Sequence, residues 1–237
     1  MGQKWAENLF RKFFPDYRHR WEIYNEVLRE SVTKDTVWLD IGCGTNGHVA
    51  EFGRVARNAT GIDIVDNRNR ADAPFLRADL RRIPLPSLSA DLVTLRMVTE
   101  HLERIPDDFL EIDRLLAPGG TLLLLTTNCW SPIIILPRLL PFRVKRWVIA
   151  KLFNVPDNDV LPTYHRFNSA GKMARGVFNL KLSSLRFLEQ VPFDSSFLTF
   201  IFGIWYCATK PGPFRYFRSN LLAVFHKIPG SEFPANV

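Results

Sequence analysis

The sequence is poor in cysteine and lacks an N-terminal apolar core, and each absence excludes a class of protein. Its 237 residues include only three cysteines, Cys43, Cys129 and Cys207, at spacings that fit neither a zinc motif nor a disulfide framework. The first residues, MGQKWAENLFRKFF, carry charges throughout, unlike a secretory signal peptide. Position 6 is Ala, where N-myristoylation at Gly2 favours Ser or Thr. The sequence therefore predicts a protein of a reducing cytoplasm without an N-terminal lipid.

Acidic side chains are scarce in the second half of the chain. Residues 1–30 hold 6 basic and 5 acidic side chains, residues 31–129 hold 11 and 14, and residues 130–237 hold 14 and 5. Apolar residues make up 46% and charged residues 23%, which is ordinary for one large domain with a full core. The uneven charge distinguishes a mildly acidic first half from a basic second half that is predicted to face a partner.

Strands and helices are predicted to alternate through the first half of the chain. An amphipathic helical region over residues 5–31 comes first. The predicted strands are 36–41, 58–64, 75–80, 90–97 and 118–127, with helices near 47–56 and 106–116. This alternation predicts an α/β fold, a parallel sheet with helices on both faces. Later in the chain, a helix near 167–178 and an edge hairpin made of strands 180–190 and 196–210 are predicted.

The stretch VWLDIGCGTNGH joins an apolar strand to a loop with three glycines. The spacing Gly42-x-Gly44-x-x-Gly47, with Asp63 21 residues after Gly42, matches a dinucleotide fingerprint, so an NAD-type oxidoreductase is one interpretation. Asp40 argues against it, because its carboxylate would face a pyrophosphate of like charge. A carboxylate at this place suits a cofactor that carries cationic groups, such as an α-amino group and a sulfonium.

Together with GIDIVD, RADLRRIPLPSLSADLVTL, RMVTEHLE and LAPGGTLLLLTTN, this stretch resembles the class I S-adenosylmethionine-dependent methyltransferases, and within them the methyltransferase type 11 branch. The resemblance covers roughly residues 33–128, with all motifs in the family's order. It implies a Rossmann-like seven-stranded sheet, mostly parallel with the last strand antiparallel, and an insertion after the fifth strand. It also implies S-adenosyl-L-methionine as the cofactor, lying over the strand ends.

Carried over by position, the resemblance implies cofactor-binding residues on four loops. They are Asp40, Gly42, Cys43, Gly44, Gly47, Asp63, Ile64, Asp79, Leu80, Arg96 and Met97. The glycine loop would hold the methionine part of the cofactor. Asp63 would take both ribose hydroxyls, because one carboxylate can accept two hydrogen bonds. Asp79 and Leu80 would border the adenine, and Arg96 and Met97 would line the other side.

Three residues are candidates for catalysis: Glu100, His101 and His165. A hydroxyl acceptor must lose its proton to a base, and His or a carboxylate usually takes it. Some relatives carry a further acid upstream of the Glu–His pair and bind a metal there. Met97 occupies that place here with Arg96 beside it, so no metal is predicted. For both histidines a purely structural role is the alternative.

The segment PIIILPRLLPFRVKRWVIAKLF, residues 132–153, has five basic side chains and no acidic one. It falls short of the roughly 20 apolar residues that cross a bilayer. It suits a helix in the membrane interface, with Lys and Arg toward anionic head groups. A substrate lid is the main alternative. Nucleic acid is the weaker one, because no RNA-binding module is recognisable.

These features predict one methyltransferase domain over residues 1–237. Its parts are a helical region (1–32), a cofactor-binding core (33–128), a basic and aromatic insertion (129–166), the last helix and edge hairpin (167–210) and a basic and aromatic tail (211–237). The predicted reaction is O-methylation of a small or lipid-linked acceptor: a glycolipid, a lipid-linked sugar, an isoprenoid-type lipid or a hydrophobic metabolite. The enzyme is expected in the cytoplasm, peripheral at the inner face of an anionic membrane. An RNA methyltransferase that uses the basic insertion is the alternative.

Overall fold

A seven-stranded mixed sheet lies at the centre of the protein. The computed structural model describes residues 2–136, 162–193, 195–210 and 212–230. The strands are β1 (Val37–Ile41), β2 (Asn58–Asp63), β3 (Phe75–Arg77), β4 (Ala90–Arg96), β5 (Leu116–Thr127), β6 (Leu180–Leu188) and β7 (Asn220–Lys227). Their order in the sheet is β3-β2-β1-β4-β5-β7-β6. β7 runs antiparallel to both of its neighbours, β5 and β6, and the other strand pairs of the described sheet are parallel, so the predicted fold is confirmed.

Helices flank the sheet along the chain. They are α1 (Gly2–Phe13), α2 (Arg20–Ser31), α3 (Gly47–Phe52), α4 (Ile105–Leu115), α5 (Pro132–Ile135), α6 (Ala170–Ala174) and α7 (Ser196–Ala208). Short 3-10 turns cover Gly53–Val55, Thr99–His101 and Gly212–Phe217. Within the described ranges, none of the helices combines the length and apolar composition needed to cross a bilayer. Most of the insertion lies outside the described residues, and so does most of the segment 132–153.

The core has two layers, one on each face of the sheet, and β5 contributes to both. Leu122 and Leu124 pack in the cluster that contains the apolar side of α4. Leu123 and Leu125 pack in the opposite cluster, with α2 and α3. A strand buried on both faces needs apolar residues at every position. The continuous run TLLLLTT is therefore what a central strand of this sheet requires.

The predicted strand over 196–210 is wrong, because most of this run forms the helix α7. Ser195 caps α7, its side chain accepting a hydrogen bond from the backbone N–H of Leu198. The buried side of the helix packs on the N-terminal region, where the Tyr206 ring lies 5.3 Å from that of Tyr17. A run of apolar residues without alternation does not distinguish helix from strand. The antiparallel pair at the sheet edge is instead formed by β6 and β7, with α7 between them in the chain, and β7 lies in the predicted tail.

The strand order places a crevice at one edge of the sheet. β1 lies between β2 and β4, and the chain connections run in opposite directions on its two sides. In open α/β sheets, ligands bind at this switch point, beyond the carboxyl ends of the strands. The glycine loop follows β1, Asp63 ends β2 and Arg96 ends β4. The topology therefore brings three of the predicted motifs together.

Candidate active site

A cavity of about 460 Å³ opens at the carboxyl ends of β1, β2 and β4, a size that suits a small-molecule ligand. Seven of the residues predicted from sequence line it: Gly42, Asp63, Ile64, Asp79, Leu80, Met97 and His101. The other predicted residues belong to the same loops and strand ends without forming its wall: Asp40, Cys43, Gly44, Gly47, Arg96, Glu100 and His165. Residues from five separate stretches of sequence thus meet at one place.

The glycine loop has a backbone that only glycine adopts easily. Gly42 has φ +73° and Gly44 has φ +57°, both in the left-handed region. A Cβ on Gly42 would lie 2.2 Å from Cγ2 of Val98, whereas nothing lies within 4 Å of a Cβ on Gly44. The loop therefore packs tightly against the β4 side of the cavity and leaves open space at Gly44. Gly47 begins α3.

Cys43 packs beneath the loop, and its thiol is not exposed for reaction. Its side chain is buried, and its Sγ lies 2.9 Å from the place where a Cβ on Gly61 would be. Burial, with smaller contributions from Asp40 and Asp63, raises the pKa of the thiol to about 12. The thiol is therefore neutral at physiological pH.

Asp63 joins the end of β2 to the glycine loop. Its Oδ2 accepts a hydrogen bond from the Gly44 N–H at 2.8 Å, and its Oδ1 accepts one from the Val65 N–H at 3.0 Å. Each carboxylate oxygen can accept more than one hydrogen bond. Asp63 can thus hold the loop and still accept two hydroxyl groups of a ribose.

Asp40 is a buried carboxylate with one unused oxygen. Only 1% of the residue is exposed. Its Oδ1 accepts a hydrogen bond from Thr94 Oγ1 at 2.6 Å, and that hydroxyl accepts one from Trp38 Nε1 at 2.9 Å. Its Oδ2 has no hydrogen-bond partner among the described residues. Burial raises the pKa of this carboxyl, against the opposing effects of Arg96 and Thr94. A buried carboxylate oxygen without a donor fits a ligand that brings a positive charge.

Replacing Asp40 with Asn is expected to raise the melting temperature of the cofactor-free protein at pH 7. Because the pKa of Asp40 is raised on folding, ionising it costs stability. This cost falls as the pH drops below the folded-state pKa and is gone below the unfolded-state pKa. The stability gain of Asp40→Asn should therefore shrink on acidification. A gain of about 1 kcal/mol corresponds to roughly 2–4 °C. Thermal unfolding of both proteins across the acid range measures it, and a gain that grows on acidification would contradict the proposed cause.

Asp79 and Leu80 form the outer wall of the cavity. The Asp79 carboxylate is bound by the Arg81 guanidinium, with Nη2 at 2.7 Å from Oδ2 and Nε at 3.1 Å from Oδ1. These hydrogen bonds lower the pKa of Asp79. Leu80 therefore offers an apolar contact to a purine ring, next to a carboxylate that is already paired.

Two arginines and an aromatic ring lie beside the end of β4. The guanidinium of Arg20, at the start of α2, lies 4.5 Å from the Trp21 ring centroid, and that of Arg96 lies 5.6 Å from it. Arg20 also donates to Asn220 Oδ1 at 2.8 Å. Burial lowers the pKa of Arg20 to about 10. The Nε atoms of both arginines are buried and have no acceptor among the described residues, so this corner suits an anionic group such as a carboxylate.

Glu100 and His165 are both buried beside β5. Glu100 Oε2 accepts a hydrogen bond from Thr126 Oγ1 at 2.8 Å, and burial raises the pKa of its carboxyl. His165 Nδ1 lies 3.2 Å from Thr127 Oγ1. The Glu100 carbonyl oxygen accepts the N–H of His165 at 3.1 Å. These contacts hold both residues in place beside β5, and neither forms the wall of the cavity, so their catalytic role stays a prediction.

His101 differs from these two residues because its side chain lines the cavity. Its Nδ1 lies 2.7 Å from the carbonyl oxygen of Pro162. A carbonyl only accepts hydrogen bonds, so Nδ1 carries the proton of the neutral ring and Nε2 holds the free lone pair. His101 is thus positioned to accept a proton. Within the described residues, no cluster of His, Cys, Asp and Glu could hold a metal ion.

Arg20 and Asp108 are among the ionisable residues of this region that sequence reasoning missed. Arg20 lies in the helical region before the core and meets the site only through the folding of α2. Asp108 lines the cavity from the first turn of α4, and its pKa is raised to about 6 by burial. An acid in the first turn of a helix is ordinary, so its sequence position gives no sign of a role at the site.

Comparisons with known proteins agree with this geometry. The family model for methyltransferase type 11, described as a methyltransferase domain, matches residues 39–124. A protein of Mycolicibacterium smegmatis named "Probable S-adenosylmethionine-dependent methyltransferase" is 28% identical over 198 residues, which cover 77% of this chain and 76% of that protein. A fatty-acid O-methyltransferase of the same organism is 29% identical over 114 residues, covering 44% of this chain and 41% of that protein.

A solved structure shows the same fold. The crystal structure of an S-adenosylmethionine dependent methyltransferase from Mesorhizobium loti superposes with a TM-score of 0.61 at 17% identity, covering 90% of this chain and 99% of that chain. The glycine spacing alone left two cofactors open, and the family model decides between them. This chain therefore carries a methyltransferase domain over residues 39–124, and most of its length is similar to an S-adenosylmethionine-dependent methyltransferase.

Proposed function

We propose that the enzyme transfers the methyl group to a hydroxyl oxygen of a small or lipid-linked amphipathic acceptor at a membrane surface. The observation that carries the proposal is the position of His101. Its ring lines the cofactor cavity, and the hydrogen bond to Pro162 leaves Nε2 as a proton acceptor. A hydroxyl acceptor requires such a base.

S-adenosylmethionine, when bound, supplies a methyl group that its sulfonium has already activated. The chain's own residues then align the acceptor, exclude water and take the acceptor proton. His101 Nε2 takes the proton, and the Pro162 carbonyl holds the ring in the required tautomer. The same carbonyl stabilises the imidazolium that results.

The end of the insertion is tied to the Thr99–His101 turn. Pro162 accepts from His101, and the N–H groups of Tyr164 and His165 donate to the Glu100 carbonyl, at 2.7 and 3.1 Å. Three hydrogen bonds thus hold the end of the insertion against the Thr99–His101 turn. A movement of residues 162–165 would change the position of the base, so we propose that this end of the insertion shifts when the acceptor binds.

An apolar part of the acceptor is supported by two further observations. Trp130 and Leu136, at the start of the insertion after β5, are exposed. A relative from Mycolicibacterium smegmatis is named as a fatty-acid O-methyltransferase, and a fatty acid is an amphipathic molecule. Its acceptor oxygen is a carboxylate, so this name supports the apolar part of the acceptor and not the hydroxyl. We therefore propose a glycolipid, a lipid-linked sugar, an isoprenoid-type lipid or a hydrophobic metabolite as the acceptor.

Transfer of a labelled methyl group tests the proposal. The protein is incubated with methyl-labelled S-adenosylmethionine and a bacterial membrane-lipid extract dispersed in non-ionic detergent, and the product is extracted into organic solvent. The label should enter the organic phase and stay there after mild alkali, because a methyl ether survives and a methyl ester is hydrolysed to methanol. Label that alkali releases would overturn the hydroxyl acceptor, and label found only in the aqueous phase would overturn the amphipathic one.

His101→Gln is expected to lower kcat in this assay by about 100-fold or more, because general base catalysis typically contributes 10²–10⁴-fold. The affinity for S-adenosylhomocysteine should stay within about twofold. His226→Gln is the matched control, since His226 is an exposed histidine on β7 whose Nδ1 pairs with Thr121. Equal activity of the two variants would show that His101 is not the base.

A further inference from the structure

Two helices expose an apolar surface that the methyl-transfer site does not use. We name it the apolar face and define it by Trp5, Leu9 and Phe13 of α1 and Phe197, Phe200 and Ile204 of α7, all exposed. Phe13, Phe197 and Phe200 are 72%, 71% and 68% exposed. Except for Phe197, these residues also line one groove of about 470 Å³ between the two helices. Single exposed apolar side chains are ordinary, but a contiguous set marks an interaction surface.

The apolar face rests on a rigid support. Its two helices approach closely, since a Cβ on Gly203 would lie 3.1 Å from a ring carbon of Phe10. Beneath them, Phe10, Tyr17 and Tyr206 form a buried aromatic cluster with Val191. The Tyr17 hydroxyl accepts a hydrogen bond from the Val191 N–H at 3.1 Å. The exposed side chains are therefore the outer side of a packed helix pair.

The charges around the apolar face suit an anionic partner. The 13 residues of α7 include no Asp, Glu, Lys or Arg. Over residues 195–230 every formally charged side chain is basic. The nearby acids on the N-terminal side are already paired, Glu7 with Arg11 at 2.8 Å and Asp16 with Lys210 at 2.8 Å. Lys12, next to Phe13 in the chain, is exposed, and Lys210 Nζ lies 5.8 Å from the Phe14 ring at the groove, so basic side chains border the face.

The apolar face is also connected to the active-site edge of the sheet. The 3-10 turn Gly212–Phe217 follows α7 and exposes Phe214, Tyr216 and Phe217. Asn128, directly after β5, donates its side-chain N–H groups to the carbonyl oxygens of Tyr216 and Arg218, at 2.7 and 2.8 Å. The turn thus lies at the carboxyl end of β5, next to Thr126 and Thr127, which bind Glu100 and His165.

We infer that the apolar face inserts into the interfacial layer of a membrane that contains anionic phospholipid. The inference rests on the proposed amphipathic acceptor, which would enter the active site from that membrane. Exposed Trp and Phe side chains with basic neighbours are typical of surfaces that lie in the membrane interface. A second copy of the chain fits less well, because a symmetric contact through this face would bring two cationic borders together, whereas anionic head groups neutralise them.

Vesicle sedimentation of the full-length protein tests the inference. We expect binding to vesicles of equal parts phosphatidylcholine and phosphatidylglycerol to be at least about tenfold tighter than to phosphatidylcholine alone. High salt should weaken this binding without abolishing it, because the apolar contribution is not screened. The double variant Phe13→Ser/Phe200→Ser should bind at least about tenfold more weakly than the wild type. Val55→Ser, which changes a 61% exposed apolar residue elsewhere, is the matched control.

Three results would overturn the inference: no binding of the wild type to anionic vesicles, equal binding of the double variant, or a wild-type dimer that the double variant dissociates. Affinity for S-adenosylhomocysteine should be unchanged in the double variant, which shows that it is folded. Methyl transfer in detergent separates the two proposals. Transfer in detergent without vesicle binding would refute only the membrane role of the apolar face. Vesicle binding with label only in the aqueous phase would refute only the amphipathic acceptor.

Discussion

Replacing Asp63 with Ala is expected to weaken the binding of S-adenosylhomocysteine by about 100-fold or more. The Asp63 carboxylate is proposed to accept hydrogen bonds from two ribose hydroxyls, and a hydrogen bond to a charged group contributes about 1.5–3 kcal/mol. Two of them amount to roughly 3 kcal/mol, which is about two decades in Kd. The variant also removes the acceptor for the Gly44 N–H, so the loop loses its connection to β2.

Two further variants test whether the loss of binding is specific to the Asp63 carboxylate. Asp66→Ala changes an exposed acid on the same loop, whose side chain pairs with Arg70 at 3.3 Å. This variant should bind S-adenosylhomocysteine as tightly as the wild type. Asp63→Asn keeps one acceptor oxygen and should lie between the wild type and Asp63→Ala. Equilibrium dialysis with labelled S-adenosylhomocysteine measures all four proteins. Unchanged binding by Asp63→Ala would remove Asp63 from the cofactor site.

Gly42→Ala is expected to lower both the stability of the protein and its cofactor affinity. A residue with a side chain at φ +73° is strained by about 1–3 kcal/mol, and the new methyl group would lie 2.2 Å from Cγ2 of Val98. The loop must move to relieve this contact. Because Gly42 and Val98 both line the cavity, any such movement changes its shape. Urea unfolding and the dialysis assay measure the two effects, expected at about 2 kcal/mol or more and about tenfold or more.

A second substitution tests the cause of the Gly42→Ala effect. Val98→Ala removes the methyl group that clashes, so the double variant Gly42→Ala/Val98→Ala should recover part of the loss, and the backbone strain should remain. Gly171→Ala is the control, because nothing lies within 4 Å of a Cβ there and Ala is favoured over Gly in the helix α6. Additive losses in the double variant would show that the contact with Val98 is not the cause.

The cofactor side of the molecule could be predicted from the sequence because its motifs follow consecutive parallel strands. β1, β2 and β4 are apolar runs that each end near a polar or glycine residue, and parallel strands bring such ends to one edge. Gly42, Asp63 and Met97 therefore line one cavity although they are far apart in the chain. Asp40 was predicted from its charge to bind the cofactor; the structure places it buried at the end of β1 and outside the cavity wall, so its role stays a prediction.

The second half of the molecule was less predictable because its apolar runs do not alternate. SFLTFIFGIWYCA is apolar on all sides, so neither a period of 2 nor one of 3.6 stands out. It forms α7, and its exposed Phe197 and Phe200 would be unexpected for a helix that only packs on the core. β7 was missed for a related reason: NLLAVFHK lies between two strands, and its middle five residues, LLAVF, are apolar without alternation.

Arg20 shows a third limit of sequence reasoning. Its hydrogen-bond partner Asn220 is 200 residues away in the chain, and no local pattern predicts such a contact. Only the packing of α2 beside the end of β4 brings Arg20 to the site, where its guanidinium lies near the same Trp21 ring as that of Arg96. Binding residues supplied by distant segments become visible only in the folded structure.

Hydrogen exchange with and without saturating S-adenosylhomocysteine tests most directly whether the cavity is the cofactor site. Backbone amides that a ligand shields or holds in place exchange more slowly. If the cofactor lies at the ends of β1, β2 and β4, protection should appear in residues 40–47, 62–66 and 97–104, with no change in α1 and α7. Protection confined to other segments, or none in the glycine loop at saturating ligand, would contradict the site described for this methyltransferase.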